Sequence, residues 1–481
     1  MNFPLLFKVL GLLFVILGLA MVVPIATSAL YQDAAMGPFV WTASLTLLVG
    51  VSLFFLCRES SGKLTSRGAI ILVSSVWLSF TLIGAVPFFL SGVFEGFIDA
   101  LFESASGFTT TGATVVTDIE ALPPSIMVWR SLTQFFGGMG VIVLSIAILP
   151  LIGEGGMYLY RAEAPGPETD KISARISETA RVLWILYLVF TLLAGITYYF
   201  LGMSPFDAFN HALTTMATGG FSTKNDSMAG FNSVWIEMAA AFFMFIGGVN
   251  FVLHFRLFAR RDLSIRKDPE LRFYCTMVLA SIILLTLSVW SQSGMEIMQA
   301  LRHSIFQVIT FASSTGYATY DYLLWTPFAQ FLLLLIMVVG GCAGSTSGGL
   351  KCVRALLLMK QGVRELHQML HPRAVIPLRH GGERVSPAVA SAIFGHCFLL
   401  ILLIVVVTLF QTALGLDIVS ALSTTISALC NMGPALGDAG PMLNYSEFPE
   451  FVKLLLSFCM IVGRLELYTI LVLLTSDFWN P

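Results

Sequence analysis

Thr109-Thr110-Thr111-Gly112-Ala113 decides how this chain is read, because a short glycine motif of the same kind returns three times. The later copies are Ala217-Thr218-Gly219-Gly220-Phe221, Ser313-Ser314-Thr315-Gly316-Tyr317 and Cys430-Asn431-Met432-Gly433-Pro434. They close short, fairly polar stretches near 97–112, 205–220, 297–316 and 417–433, each lying between two long apolar runs. Asp99 precedes Gly112 by the same interval as Asp207 precedes Gly220, which makes Gly220 rather than Gly219 the equivalent glycine. The other two stretches lack that aspartate spacing, so their short helices are expected to start differently. Roughly 24–30 residues beyond each motif lies a second glycine site: Gly137-Gly138, Gly247-Gly248, Gly340-Gly341 and Gly463-Arg464. At helical rise that separation is one descent into a membrane. Two registers recurring in step define a fourfold repeat.

Composition sets the solvent. Hydrophobic residues make up 57% of the 481 and charged residues 11%, against about 25% charged in an average soluble domain. Apolar runs near the roughly 20 residues that cross a bilayer recur throughout. They fall near 4–28, 38–57, 69–91, 125–150, 182–201, 234–258, 273–292, 325–358, 387–413 and 449–475. The four glycine-closed stretches are too short to cross and read as re-entrant half-helices. The expected fold is an all-α polytopic membrane protein in the lipid bilayer, with about ten transmembrane helices and four re-entrant pore half-helices. It divides into two N-terminal helices over 1–65 and four membrane–pore–membrane repeats over 66–160, 161–268, 269–372 and 373–481, around one pore. The run from Pro4 to Ala29 lacks a short apolar core followed by a small-residue cleavage site, and reads as a retained span. The seven cysteines form no CxxC pair and read as small packing residues. A net charge of −2 implies no nucleic acid or other polyanion as partner.

Lysine and arginine give the orientation. Arg58, Lys63 and Arg67 follow the second span, and Arg161, Lys171, Arg175 and Arg181 the fourth. Six bases from Arg256 to Arg272 follow the sixth, and seven from Lys351 to Arg384 the broken eighth. The alternate loops carry Asp118, Glu120, Asp226, Asp321, Asp438 and Glu447, with Lys224 nearly alone as a base. Both termini are therefore expected in the cytoplasm, with every half-helix entering from outside.

Four half-helices entering from one side bring four loops to one axis. Helix C-termini carry about half a negative charge each and favour a cation there. Backbone carbonyls of Thr111, Gly112, Gly219, Gly220, Thr315, Gly316, Met432 and Gly433 can then replace the water of a dehydrated ion. The four expected ligands are the carbonyls of Gly112, Gly220, Gly316 and Gly433, since glycine tolerates φ > 0 and a close backbone approach. Irregular backbone at membrane depth belongs beside a wet cavity or buried in protein. Each motif is shorter than TVGYG. Fewer stacked carbonyl rings imply modest discrimination among potassium, rubidium and sodium, and hence a measurable sodium current.

The eighth span is interrupted by Gly340-Gly341-Cys342-Ala343-Gly344-Ser345-Thr346-Ser347-Gly348-Gly349-Leu350-Lys351. Five glycines and three hydroxyls are incompatible with an undisturbed helix. The segment lacks Gly-Lys-Ser/Thr and is no phosphate loop. It reads as an unwound loop below the filter that acts as a gate; a passive kink is the plainer alternative. Arg464 is the other costly residue, because a charge inside a span faces a cavity or a partner. The repeat points it at the axis beneath the filter, where it opposes cation leakage and can pair with the Gly340–Gly349 loop, with a structural ion pair to Glu466 or another buried acid as the alternative.

The remaining polar residues carry less. Glu103, His211 and Arg302 lie in or beside the half-helices and are expected to fix them to neighbouring spans. His254, His367, His371 and His380 make no metal-ligand spacing, and no nucleophile accompanied by His and Asp points to a membrane hydrolase. A sodium- or proton-coupled symporter of another small solute is the main rival. Such proteins commonly use inverted repeats with paired broken helices, whereas here all four repeats enter from one side and only one span is extensively broken.

At these motifs the chain resembles the Trk/Ktr/HKT superfamily of potassium transporters over essentially its whole length. The likeness rests on Thr110-Thr111-Gly112-Ala113-Thr114, Ala217 to Ser222, Ser314-Thr315-Gly316-Tyr317, Asn431-Met432-Gly433-Pro434, Gly340 to Lys351 and Val462-Gly463-Arg464. It implies four membrane–pore–membrane units after two extra helices, potassium passing four filter glycines, a gating loop, and Arg464 just below the filter. It also implies a homodimer in a bacterial inner membrane that binds a cytosolic nucleotide-sensing ring, with segments 256–272 and 351–384 as docking surfaces. The nucleotide would then bind the partner, since this chain has no nucleotide site of its own.

Overall fold

The computed structural model describes residues 2–60, 65–147 and 172–480. The expected end of the fourth span at 148–150, and Lys63, Arg161 and Lys171 of the basic loops, lie outside the described residues.

Elements follow the apolar runs. α1 (Phe3–Ala20) and α2 (Val22–Tyr31) form one long apolar stretch, and α3 (Met36–Leu56) packs back along it. Four units follow, each with a long helix, a short helix, a loop and a descending helix. The first has α4 (Ser66–Leu90), α5 (Phe97–Phe108) and α6 (Pro124–Ala147). The second has α7 (Ile172–Phe200), α8 (Pro205–Met216), and α9 (Val234–Gly247) with α10 (Phe251–Arg260). The third has α11 (Pro269–Ser293), α12 (Ile297–Ala312), and α13 (Pro327–Val339) with α14 (Cys352–Leu370). The fourth has α15 (Pro387–Ala413), α16 (Ile418–Cys430), and α17 (Glu450–Leu465) with α18 (Leu467–Leu471). A hairpin of two-residue strands, Arg379–His380 with Glu383–Arg384, is the only sheet among the described residues.

The short helices behave as a buried inner layer. α5, α8, α12 and α16 are buried along most of their length, while α3, α7, α11 and α15 turn much of their apolar surface outward. In water that distribution would be untenable; in lipid it is the expected one. Local chemistry starts these helices. Ser204 and Asp417 accept backbone N–H groups in the first turns of α8 and α16, and Asp268 does so for α11.

Among the described residues, six single helices are long and apolar enough to cross a membrane, and two sharply bent pairs raise this to eight. The bent pairs correct two expected spans. The stretch 234–258 is two helices meeting at 96°, and 449–475 turns by 113° after Leu465. The span at Gly340–Lys351 is therefore not the only one extensively broken. The physical reason at the first bend is visible. Asn250 caps α10 through Val252 N, and the carbonyls freed at Gly247 and Gly248 accept from Thr346 N and Cys342 N of the third unit's loop. A break in one span is thus satisfied by the loop in another.

Candidate functional site: four loops around one axis

All four short helices end alike. Thr111, Gly219, Thr315 and Met432 donate their N–H to the carbonyls of Ser106, Thr214, Thr310 and Ser427 at 2.8–3.0 Å. The residues before them donate to Gly107, Thr215, Phe311 and Ala428 at 2.9–3.3 Å. This paired closure is a Schellman motif, which needs a left-handed residue just past the helix. That residue is Thr110 (φ +53°), Thr218 (+51°), Ser314 (+50°) or Asn431 (+51°). Threonine is poorly suited to this region, so its left-handed conformation at Thr110 and Thr218 is imposed by the site, whereas Asn431 takes it readily.

Two residues further on, Gly112, Gly220, Gly316 and Gly433 return to positive φ, between +81° and +95°. Their surroundings close a ring. A Cβ on Gly112 would stand 2.1 Å from the Gly219 carbonyl oxygen, one on Gly220 2.0 Å from that of Thr315, and one on Gly316 2.2 Å from that of Met432. One on Gly433 would stand 2.6 Å from the Thr111 oxygen, which returns to the first unit. The cyclic order is 1–2–3–4, and all eight residues expected at the filter lie in this ring. Gly220, not Gly219, takes the equivalent place. A cavity of about 130 Å³ touching all four glycines adjoins the ring.

Side chains hold the carbonyls in place. Gln134 on α6 donates to the Gly219 carbonyl at 2.6 Å and accepts from Phe221 N at 3.1 Å, tying units one and two. Tyr445 and Ser427 hydroxyls both donate to the Gly433 carbonyl at 2.8 Å. Behind the first loop, buried Glu103 accepts from Arg130 Nε at 2.7 Å, from the Thr114 hydroxyl at 3.0 Å and from Val115 N at 3.1 Å. The Arg130 guanidinium carbon also lies 4.2 Å from the centre of the Phe221 ring. His211 stands nine residues before Gly220, as Glu103 stands nine before Gly112, and its Nε2 lies 3.0 Å from the Ser222 hydroxyl. Arg302 pairs with Glu237 at 2.6 Å. Glu103 and Arg302 thus tie their half-helices to neighbouring helices, while His211 ties its half-helix to its own loop.

The second glycine register lies beneath the ring, at the seams. A Cβ on Gly137 would meet the Phe108 carbonyl oxygen at 2.1 Å, and one on Gly138 would meet Ala217 Cα at 2.8 Å. Gly247 faces Thr218 while Gly248 faces Ser313, and Gly463 faces the Leu429 carbonyl. In the first two pairs the first glycine touches the end of its own unit's short helix and the second touches the next one round, whereas Gly340 meets the Gly348 carbonyl of its own loop and Gly341 the Gly248 carbonyl of the second unit.

The loop Gly340–Lys351 crosses under this region. Gly340, Gly344 and Gly349 have positive φ, and Gly348 leaves no room for a Cβ beside the Cys430 carbonyl. Ser347 shares a hydrogen bond with Ser314 at 3.0 Å, Gly341 N donates to Ser347 Oγ, and Ser345 Oγ donates to the Cys342 carbonyl. Thr346 Oγ1 donates to the Met216 and Gly247 carbonyls at 3.1 and 3.2 Å. Arg464 donates to the Thr346 carbonyl at 2.8 Å and to the Gly137 carbonyl at 3.1 Å. It makes no ion pair with Glu466, which instead pairs with Arg354 at 2.6 Å. The structure therefore brings the eight motif residues together, with the loop and Arg464 hydrogen-bonded to each other beside them. Sequence reasoning missed Gln134, Arg130 and the four left-handed residues; the only signal available for the first two was a polar side chain within an apolar run.

Four loops meeting at one constriction inside a helical membrane protein define a fourfold pore-loop assembly. Comparison with known proteins then gives the family: residues 38–480 match the model of TrkH, cation transport protein, and this chain belongs to that family. It is 39% identical to the Trk system potassium uptake protein TrkH of Halomonas elongata, over all of both chains. Identity is 38% with the Escherichia coli K12 protein of the same name, again over all of both, and 34% with Escherichia coli TrkG over 98% of this chain and 97% of that one. Among solved structures, the potassium transporter TrkH from Vibrio parahaemolyticus superposes with a TM-score of 0.92 at 36% identity, over all of both chains.

Proposed function

We propose that this protein takes up potassium across a bacterial inner membrane through a filter built from one glycine per repeat. The observation that carries the reading is the closed ring, in which each glycine's absent Cβ makes room for the next unit's carbonyl. Four helix C-termini converge on it and add a field that favours a cation. The names of the full-length relatives, Trk system potassium uptake proteins, supply the ion.

In this reading the carbonyls of Thr111, Gly219, Thr315 and Met432 and of the glycines after them replace potassium's hydration water. The loop Gly340–Gly349 is the gate beneath, and Arg464 sets a positive barrier below the filter. The pore repeats are 66–160, 161–268, 269–372 and 373–481, with both termini in the cytoplasm. Two copies form the working unit. A cytosolic nucleotide-sensing subunit docks on the basic segments 256–272 and 351–384, and the nucleotide binds there rather than to this chain.

The test is rubidium and potassium flux into proteoliposomes holding the purified chain, with and without the cytosolic subunit. Uptake by wild type, faster uptake by Arg464→Ala and impaired uptake or selectivity in Gly316→Ser support the reading. Folded protein that passes no monovalent cation in either condition sinks it.

A further inference from the structure

The intramembrane loop is tethered at both ends by one atom. Glu270 Oε1 accepts a hydrogen bond from Ala343 N at 2.8 Å and another from Val353 N at 3.0 Å. Ala343 lies just inside the start of the loop, and Val353 lies in the first turn of α14, just past its end. All three residues are buried. Main-chain bonds cross the same neck, with Cys352 N donating to the Gly341 carbonyl at 2.9 Å. The Glu270 side chain comes from another helix, so it can move without the loop's own backbone moving first.

We propose that Glu270 is the latch of this loop: its carboxylate holds residues 343 and 353 together and keeps the segment between them closed beneath the filter. Three observations converge on that role. Buried amide N–H groups at an irregular segment need an acceptor, and an ionised carboxylate is the strongest one a side chain offers. Glu270 also sits in the first turn of α11, where an acidic group is held by the helix N-terminus. Lastly, α11 continues directly from the basic 3₁₀ turn Leu263–Lys267, and Arg272 Nε donates to the Arg266 carbonyl at 2.9 Å. A force applied to that basic turn from the cytoplasm reaches Glu270 through one rigid helix end. The inference rests on the proposed gating role of the loop only for its functional consequence; the latch itself is a statement about the loop's closure.

The chain carries its own reporters. Cys342 and Cys352 lie at the two ends of the loop and both are fully buried, so each reacts with a thiol reagent only when the neck opens. The experiment compares wild type, Glu270→Ala and Glu270→Gln in the full-length protein. A small membrane-permeant maleimide is read site by site by peptide mass spectrometry, and rubidium uptake is measured in parallel. Buried Cys459, remote in sequence from the loop, reports whether each variant is folded. The expected result is at least tenfold faster labelling of Cys342 and Cys352 in the alanine variant, with Cys459 unchanged. Recovery to within about threefold of wild type is expected in the glutamine variant, whose amide oxygen still accepts both bonds. Unchanged labelling of the two loop cysteines in Glu270→Ala overturns the latch. So does labelling that rises equally at Cys459, since that is unfolding. Faster loop labelling without a change in rubidium uptake keeps the latch and refutes the gate reading on which its consequence rests.

Discussion

Gly316→Ser tests the ring at its tightest logic. A Cβ at Gly316 would lie 2.2 Å from the Met432 oxygen and 2.9 Å from Pro434 Cδ. An ordinary carbon–oxygen contact begins near 3.4 Å, so the two strands must part by about 1.2 Å. Neither neighbour is the free end of a flexible chain: one is a backbone carbonyl in the ring itself, the other a proline ring. Gly316 also has φ +87°, and an L-residue in a left-handed conformation costs roughly 1–2 kcal/mol. Crowding a packed site adds about 1–3 kcal/mol. The total of ~2–5 kcal/mol is discharged by widening the ring on the Met432 side, because that carbonyl is what stands in the way. At about 1.4 kcal/mol per factor of ten, we expect a more than tenfold loss in rubidium uptake or in preference for potassium over sodium. The assay is rubidium uptake into proteoliposomes at varied external sodium. Gly415→Ser is the control, since Gly415 has φ +98° with nothing within 4 Å of its would-be Cβ; it carries the conformational strain without the crowding. If folded Gly316→Ser keeps wild-type uptake and selectivity, the ring of carbonyls is not where ions are selected.

Glu103→Gln weakens the buried bond to Arg130 and leaves an uncompensated charge, so thermal stability in detergent should fall by about 3–5 kcal/mol; a melting temperature equal to wild type refutes it. Gln134→Leu removes the donor to the Gly219 carbonyl and the acceptor of Phe221 N, and should lower potassium preference, as read by competitive rubidium and sodium uptake. In the turn after α10, the Ser264 hydroxyl and then the Arg256 guanidinium hold the Asp262 carboxyl down to about 2 from an ordinary 3.8. A depressed carboxylate adds its order above the ordinary value and loses it as pH falls through the folded one. Protection of the Ser264 amide, its exchange measured against an unfolded peptide at the same pH, should therefore be high at pH 5 and fall between about pH 4 and 2, an effect Asp262→Asn abolishes.

The repeat was legible because it is written twice, in two glycine registers that both answer to steric demands. The short helices and Gly112, Gly220, Gly316 and Gly433 follow from the one residue type that fits both positive φ and a facing carbonyl. The bends were not legible. Gly247-Gly248 reads as one copy of the second glycine register inside an unbroken apolar span, and what breaks it is a set of bonds from Cys342 and Thr346, about a hundred residues away. The bend after Leu465 likewise goes with Glu466, at φ +64° and paired with Arg354 from another unit. Gln134 and Arg130 escaped for the same reason: their importance lies in which carbonyl or carboxylate they meet, and only the closed ring supplies that. Local pattern reveals elements, whereas partners across the axis decide how those elements bend.

Beneath the ring, those cross-axis partners join into a belt. Gly137 of the first unit accepts from Arg464 of the fourth, Arg464 donates to Thr346 of the third, and Thr346 donates to Met216 and Gly247 of the second. Two accounts of Arg464 follow. As a point charge it repels a cation whatever Thr346 does. As a link in the belt it positions Thr346, and opening either end releases the other. A double-mutant cycle separates them. Arg464→Ala cuts the belt at its fourth-unit end, and Thr346→Val removes both hydroxyl bonds at the second-unit end while leaving the main-chain bond to Gly247 and the carbonyl that Arg464 uses. If the belt acts as one closure, the double variant should leak rubidium no faster than the leakier single, a coupling of at least about 1 kcal/mol. If the arginine acts by charge alone, the two increases should multiply. Uptake in proteoliposomes without the cytosolic subunit reads both, and multiplied rates with wild-type melting temperatures would reject the belt and leave Arg464 as an electrostatic barrier only.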